Sequence, residues 1–275
     1  MDNQKKIALL IDAENISQKY IKLIMNEIEK YGVVTYKRVY GDFTNSSVLT
    51  WKSNLVDYAM TPVFQFNYTK GKNASDSAMV IDAMDILYSG KVSGFCLVTS
   101  DSDFTKLAIR LREAGMLVVG MGEQKTPSSL VAACETFKYL DLLYNEEVKE
   151  NSNEYLPGVD KETEKEERGG LKEQSSPDNT QTGEDIQVTE QNIIPSKEVI
   201  EAEITEILNA QEEENGWVNL ASVGGSLAKR VPGFDSRNYG YKKLKNFVES
   251  SDCFDIYETT NPKNELLKIV YIKVK

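Results

Sequence analysis

Lys6-Ile7-Ala8-Leu9-Leu10-Ile11-Asp12-Ala13-Glu14-Asn15 is the stretch that decides the fold. Ile7 to Ile11 is an unbroken apolar run, as expected of a strand buried on both faces of a parallel sheet. Asp12 closes that run. Open α/β sheets hold their ligands beyond the carboxyl ends of the strands, so a carboxylate at this point stands where chemistry is done. Two more acidic groups follow. Asp101 and Asp103 close the run from Phe95 to Val98, and Asp76, with Asp82 and Asp85, lies in a segment of helical spacing. Carboxylates brought together repel unless a cation or protons neutralise them. Hard oxygen donors suit Mg²⁺ or Mn²⁺. The pattern reads first as a metal site on an α/β sheet.

Outward from this stretch, strand-like and helix-like segments alternate. Ile16, Tyr20, Leu23, Ile24 and Ile28 form a helical stripe over 16–30, and 33–40 reads as a strand. A helix is expected over 46–60, a strand over 63–68 and a helix over 76–87. Then come a strand at 94–99, a helix at 104–113, a strand at 116–121 and a helix at 128–139. The stretch 137–143 either extends that last helix or adds a short edge strand. Repeated βα units imply a parallel sheet flanked by helices with right-handed crossovers.

Residues 1–147 are assigned to this first domain. Residues 148–194 are dominated by Glu, Lys, Asn, Ser, Gln, Gly and Pro and cannot bury enough apolar surface to offset their ordering entropy. They read as a flexible acidic linker, with an acidic partner-binding segment as the alternative. Globular composition returns at 195–275. A helix over 199–208 capped by Ser196, two more helical elements and a β-hairpin from 254–257 to 267–274 make a small winged helix.

The chain has 275 residues and a formal net charge of −11, which argues against a globally basic nucleic-acid binder. Three scattered cysteines give no disulfide framework, and a reducing setting is expected. The apolar run at the N-terminus is too short for a signal core, and no stretch approaches a membrane span, so a soluble cytoplasmic protein is expected. The chain contains no histidine. That excludes Ser-His-Asp and Cys-His catalysis and histidine-ligated zinc.

Leu10-Ile11-Asp12-Ala13-Glu14-Asn15, Lys70-Gly71-Lys72 leading to Asp76, Ile81-Asp82-Ala83 and Val98-Thr99-Ser100-Asp101-Ser102-Asp103-Phe104 together carry a likeness. The segment 6–143 resembles the NYN domain, a nuclease fold of the PIN-like class. Where that family commonly has Gly-Val-Asp before the central helix, this chain has Asn73-Ala74-Ser75-Asp76. Gly216-Trp217-Val218, Pro232-Gly233-Phe234 and Arg237-Asn238-Tyr239-Gly240-Tyr241 resemble the LOTUS domain, also called OST-HTH. The pairing is similar to the limkain-type RNA-processing proteins.

The resemblance implies a metal-dependent ribonuclease that hydrolyses RNA phosphodiester bonds, with a tethered module for RNA or a protein partner. Asp12 and Asp101 are expected as direct ligands because strand-end carboxylates are held rigidly. Asp76 is expected as a third ligand or water-positioning base, and Asp103 as a further or supporting ligand. Asn15, Ser100 and Lys72 are candidates for binding substrate phosphate, and Arg237 and Lys242 for contacting single-stranded RNA. Capping competes for Asn15, Asp76 and Asp103 taken singly. Phe43, Trp51, Trp217 and Phe234 read as core. Two other functions compete. One is a catalytically silent RNA-binding adaptor. The other is phosphotransfer, whose dehalogenase-like form wants a second aspartate where Glu14 stands. The sequence leaves the oligomeric state open.

Overall fold

The computed structural model of the chain describes residues 4–65, 74–153, 194–211, 216–261 and 264–275. Six strands form one parallel sheet: β1 (Lys6–Asp12), β2 (Val33–Gly41), β3 (Thr61–Phe64), β4 (Gly94–Val98), β5 (Leu117–Gly122) and β6 (Thr136–Tyr139). Their order is β3-β2-β1-β4-β5-β6. The chain builds outward from β1 on one side, then returns to lay β4 on the other. The switch point therefore falls between β1 and β4, and it opens the crevice where such sheets bind ligands.

The apolar run does what its pattern requires. Ile7, Leu9 and Ile11 pack with α1 (Ile21–Ile28) and the start of α7 (Leu140–Asn153) on one face of the sheet. Ala8 and Leu10 pack with α4 (Ala74–Tyr88) and α5 (Thr105–Glu113) on the other. Strand side chains alternate between faces, so burial on both sides demands an unbroken apolar run. Each large side chain buried here contributes about 1.5–3 kcal/mol.

Several local expectations are corrected. The helix expected over 46–60 is two pieces, α2 (Ser46–Leu49) and α3 (Lys52–Asp57), broken where Trp51 turns into the core at 1% exposure. The stripe over 16–30 opens with a 3₁₀ turn at Gln18–Tyr20 before α1 begins at Ile21. β3 begins at Thr61 and carries Pro62. It is an edge strand, where the missing N–H is tolerated. The helix expected over 128–139 ends early. α6 (Ser128–Ala133) stops at Cys134, whose backbone is extended, and β6 follows as the edge strand. Phe137 and Tyr139 alternate inward from Thr136 and Lys138, and these residue types favour a strand.

Phe137 can pack there because residue 120 on β5 has no side chain. A Cβ on Gly120 would lie 2.4 Å from the Phe137 ring and 2.6 Å from the Cys134 sulfur. Gly120→Ala is expected to cost about 1–3 kcal/mol by overpacking, read as a lowered denaturant midpoint at unchanged slope.

α7 runs to Asn153, six residues past the expected end of the domain at 147. The remainder of the expected linker, 154–193, lies outside the described residues.

The second domain comprises α8 (Lys197–Ala210), β7 (Val218–Asn219), α9 (Leu220–Arg230), a 3₁₀ turn at Ser236–Tyr239, α10 (Leu244–Glu249) and the hairpin of β8 (Phe254–Asn261) and β9 (Asn264–Val274). β9 lies between β7 and β8. Ile200, Ile204, Val223, Leu227, Phe247 and Ile272 form the core, and Phe234, Tyr239 and Tyr241 ring Phe247. This is the winged helix expected from the sequence. Among the described residues, no helix is long and apolar enough to cross a membrane.

Candidate metal centre

The crevice between β1 and β4 is built on Asp12. Its side chain is 1% exposed, and four donors surround it. The Glu14 and Asn15 backbone N–H groups reach Oδ1 at 3.1 and 3.3 Å. The Asn15 amide and the Thr99 hydroxyl donate to Oδ2 at 2.7 and 2.9 Å. A carboxylate offers about four lone-pair directions, so these donors account for all of them. Burial nevertheless raises the Asp12 carboxyl above the usual range, with the hydrogen bonds pulling the other way. Thr99 is the joint of the crevice. Its hydroxyl donates to Asp12 and accepts the Asp101 backbone N–H at 3.1 Å, coupling the ends of β1 and β4.

Asp101 caps the 3₁₀ turn Ser102–Phe104, accepting the Asp103 backbone N–H at 2.9 Å. The cap is thus Asp101, two residues earlier than an Asp103 cap would be. Its carboxylate converges with those of Asp76, in the first turn of α4, and Asp103. One oxygen from each lies within 4.8 Å of the others. Divalent ions bind oxygen at about 2.0–2.6 Å, so oxygens spaced by roughly twice that can share one ion. The donor set is all hard oxygen, which fits Mg²⁺ or Mn²⁺ better than a thiophilic metal. Asp12 lies outside this trio of ligand atoms but beside it.

The electrostatics agree. The Asp76 carboxyl is pushed up to about 6, first by burial and then by the charges of Asp12, Asp101, Glu14 and Asp103. A raised carboxyl is protonated preferentially in the folded state. Its contribution to stability is therefore full below about pH 3.8 and is lost as pH rises through about 6. Asp76→Asn removes that loss. In metal-free buffer at pH 7.5 the variant should melt about 2–4 °C higher, corresponding to about 1 kcal/mol after screening of a half-exposed group. At pH 3 the two proteins should melt together.

Asn15 faces Asp12. The Ser100 hydroxyl is buried and engaged, accepting the Glu123 N–H at 2.9 Å and the Thr126 hydroxyl at 3.0 Å. It thereby holds the loop after β5. Lys72 lies outside the described residues. Lys242 is exposed on the second domain, ahead of α10. Arg237 makes two bonds to Glu27 of the first domain, at 2.7 and 3.1 Å. Asp82 is bound by Arg38 and the Tyr40 hydroxyl on β2, which ties α4 to the sheet. Phe43 and Trp51 are core, as expected.

Sequence reasoning missed Glu14. Its carboxylate accepts the Asp42 N–H at 3.1 Å and the Ser75 hydroxyl at 3.2 Å, bridging β1, β2 and the start of α4 beside Asp76. Its place directly after Asp12-Ala13 was the available signal.

Residues 6–141 match the NYN domain family, and residues 195–265 match the OST-HTH/LOTUS domain family. A crystal structure of a protein of unknown function from Vibrio parahaemolyticus aligns over 50% of this chain and 93% of its own, at 18% identity and a TM-score of 0.42. Comparison with curated protein sequences finds no match.

Proposed function

Because the chain joins an NYN domain to an OST-HTH/LOTUS domain, we propose that it is a metal-dependent ribonuclease. Its site is the Asp76, Asp101 and Asp103 trio, and its second domain contacts the RNA. The observation that carries this reading is the convergence of three carboxylates at the switch point of the NYN sheet. Both domain types point to RNA as the partner.

Asp76, Asp101 and Asp103 would hold one divalent ion, Mg²⁺ or Mn²⁺. When bound, such an ion polarises a phosphoryl oxygen and lowers the pKa of a coordinated water. The chain's own groups do the rest. Asp12 adds negative charge behind the trio and fixes Asn15 and Thr99. Thr99 in turn holds the Asp101 backbone in place. The Asn15 side chain is partly exposed and held on Asp12 beside the trio, where it would meet a phosphate brought to the ion. With no histidine in the chain, carboxylates are the proton-handling groups at this site. On the second domain, Lys242 and Lys243 are exposed and suited to phosphates of a single strand.

The test is cleavage of single-stranded RNA with Mn²⁺ or Mg²⁺, with a chelator as control. Chelator-sensitive cleavage is the expected result. Tight RNA binding without metal-dependent turnover would instead identify a silent adaptor.

A further inference from the structure

β6 is the last strand of the sheet, and an edge strand presents unpaired N–H groups that must be covered or blunted. Here the second domain covers it. The Phe137 N–H donates to the Pro232 carbonyl at 2.8 Å. Beside this bond, Gly233 packs against Tyr139 and Val131, where an added Cβ would lie 3.2 Å from the Tyr139 hydroxyl. Ile194, at the entry to the second domain, packs on the core between the sheet and α4–α5.

A chain of alternating charges flanks these contacts. The Lys138 ammonium on β6 lies 2.5 Å from Asp235, and both side chains are nearly buried, at 12% and 10% exposure. Arg237 bonds Asp235 through Nε at 3.0 Å and Nη2 at 2.8 Å. Its guanidinium also forks onto both oxygens of Glu27, which Lys30 approaches at 2.7 Å. The Glu27 side chain is only 3% exposed, on the face of α1 that otherwise carries Leu23, Ile24 and Ile28. Lys30, its partner within the first domain, is 56% exposed. With the second domain in place this carboxylate is shut off from solvent, and Lys30 engages only its Oε1, so Oε2 depends on a cation from the other domain. Arg237 supplies that cation, and its rigid fork matches a carboxylate in a way lysine cannot.

We infer that the outer edge of β6, together with Glu27 on α1, is a docking surface built for the chain's own OST-HTH domain. The Asp235–Arg237 pair is the key that fits it. The two domains then act as one body, and Arg237 serves the interface instead of RNA. This inference stands independently of the nuclease reading.

A specific protease site placed within 154–193 of the full-length protein tests it. After cutting, the two pieces should co-elute on size exclusion at micromolar concentration, and the uncut protein should scatter light as a monomer. Arg237→Met and Glu27→Gln should each weaken association of the cut pieces by about 100-fold or more. Circular dichroism of the separated pieces should show both still folded. Wild-type pieces that part on cutting would overturn the inference. So would Arg237→Met pieces that stay together as tightly as wild type, or an uncut dimer that exchanges its second domains.

Discussion

Asp101→Asn is expected to lower metal-dependent RNA cleavage by at least about 10²–10³-fold while leaving the fold intact. The substitution is clean for a structural reason. Asparagine is as good an N-cap as aspartate, and its Oδ1 can still accept the Asp103 N–H that Asp101 takes now. What disappears is one charge and one candidate ligand oxygen of the Asp76–Asp101–Asp103 trio. Asp12→Asn is a poorer probe. Four donors point at the Asp12 carboxylate, and an asparagine amide would turn two N–H groups of its own toward some of them. Loss of activity in that variant would mix charge with local damage. The measurement is a cleavage rate at saturating Mn²⁺, with thermal melting as the control. An Asp101→Asn protein that cuts RNA at the wild-type rate would remove the trio from the reaction.

Asp82→Ala is expected to cost about 3 kcal/mol, or about 6–12 °C in Tm. Asp82 accepts from Arg38 and from the Tyr40 hydroxyl, and Tyr40 is 1% exposed. Removing the acceptor strands a buried hydroxyl and an arginine whose side chain is 30% exposed, so solvent softens only the second loss. Burial together with the Asp82 bond raises the Tyr40 hydroxyl well above its usual range, so it stays a donor throughout the working pH range. Tyr40→Phe, which removes the hydroxyl alone, should cost about 1 kcal/mol. Activity should fall with stability in Asp82→Ala, because Asp76 rides on the same helix. Loss of activity with unchanged melting would instead place Asp82 among the ligands.

The parts of this fold that were legible in the sequence are those where local pattern and tertiary fate coincide. Ile7 to Ile11 and Phe95 to Val98 are apolar without a break, and only a strand covered on both faces accepts that pattern. The acids closing those runs then mark the crevice end of the sheet. Trp51 could not be read in the same way. It was read as part of one helix, but the chain forms two short helices on either side of it and buries it between them. Residues 134–139 carried a strand's alternation over only four positions, too short to outweigh the helical run before them. At the site, the sequence pointed to Asp12, Asp76, Asp101 and Asp103 as one acidic group, with Asp12 a direct ligand; Asp76, Asp101 and Asp103 converge, and Asp12 stands beside them. The hydrogen-bond saturation of Asp12 was not legible, because two of its donors depend on how Asn15 and Thr99 are placed in three dimensions. Glu27 left a trace as an acid inside the apolar stripe of α1, yet its partner lies 210 positions away in sequence. No local pattern reaches that far.

Asp76, Asp101 and Asp103 are proposed to hold one divalent ion. Anomalous diffraction from crystals soaked in Mn²⁺ tests it most directly. A single strong peak is expected at about 2.0–2.3 Å from one oxygen of each of these residues, and its loss in Asp101→Asn crystals. A crevice without a peak at saturating Mn²⁺, or a peak bound elsewhere, would contradict it.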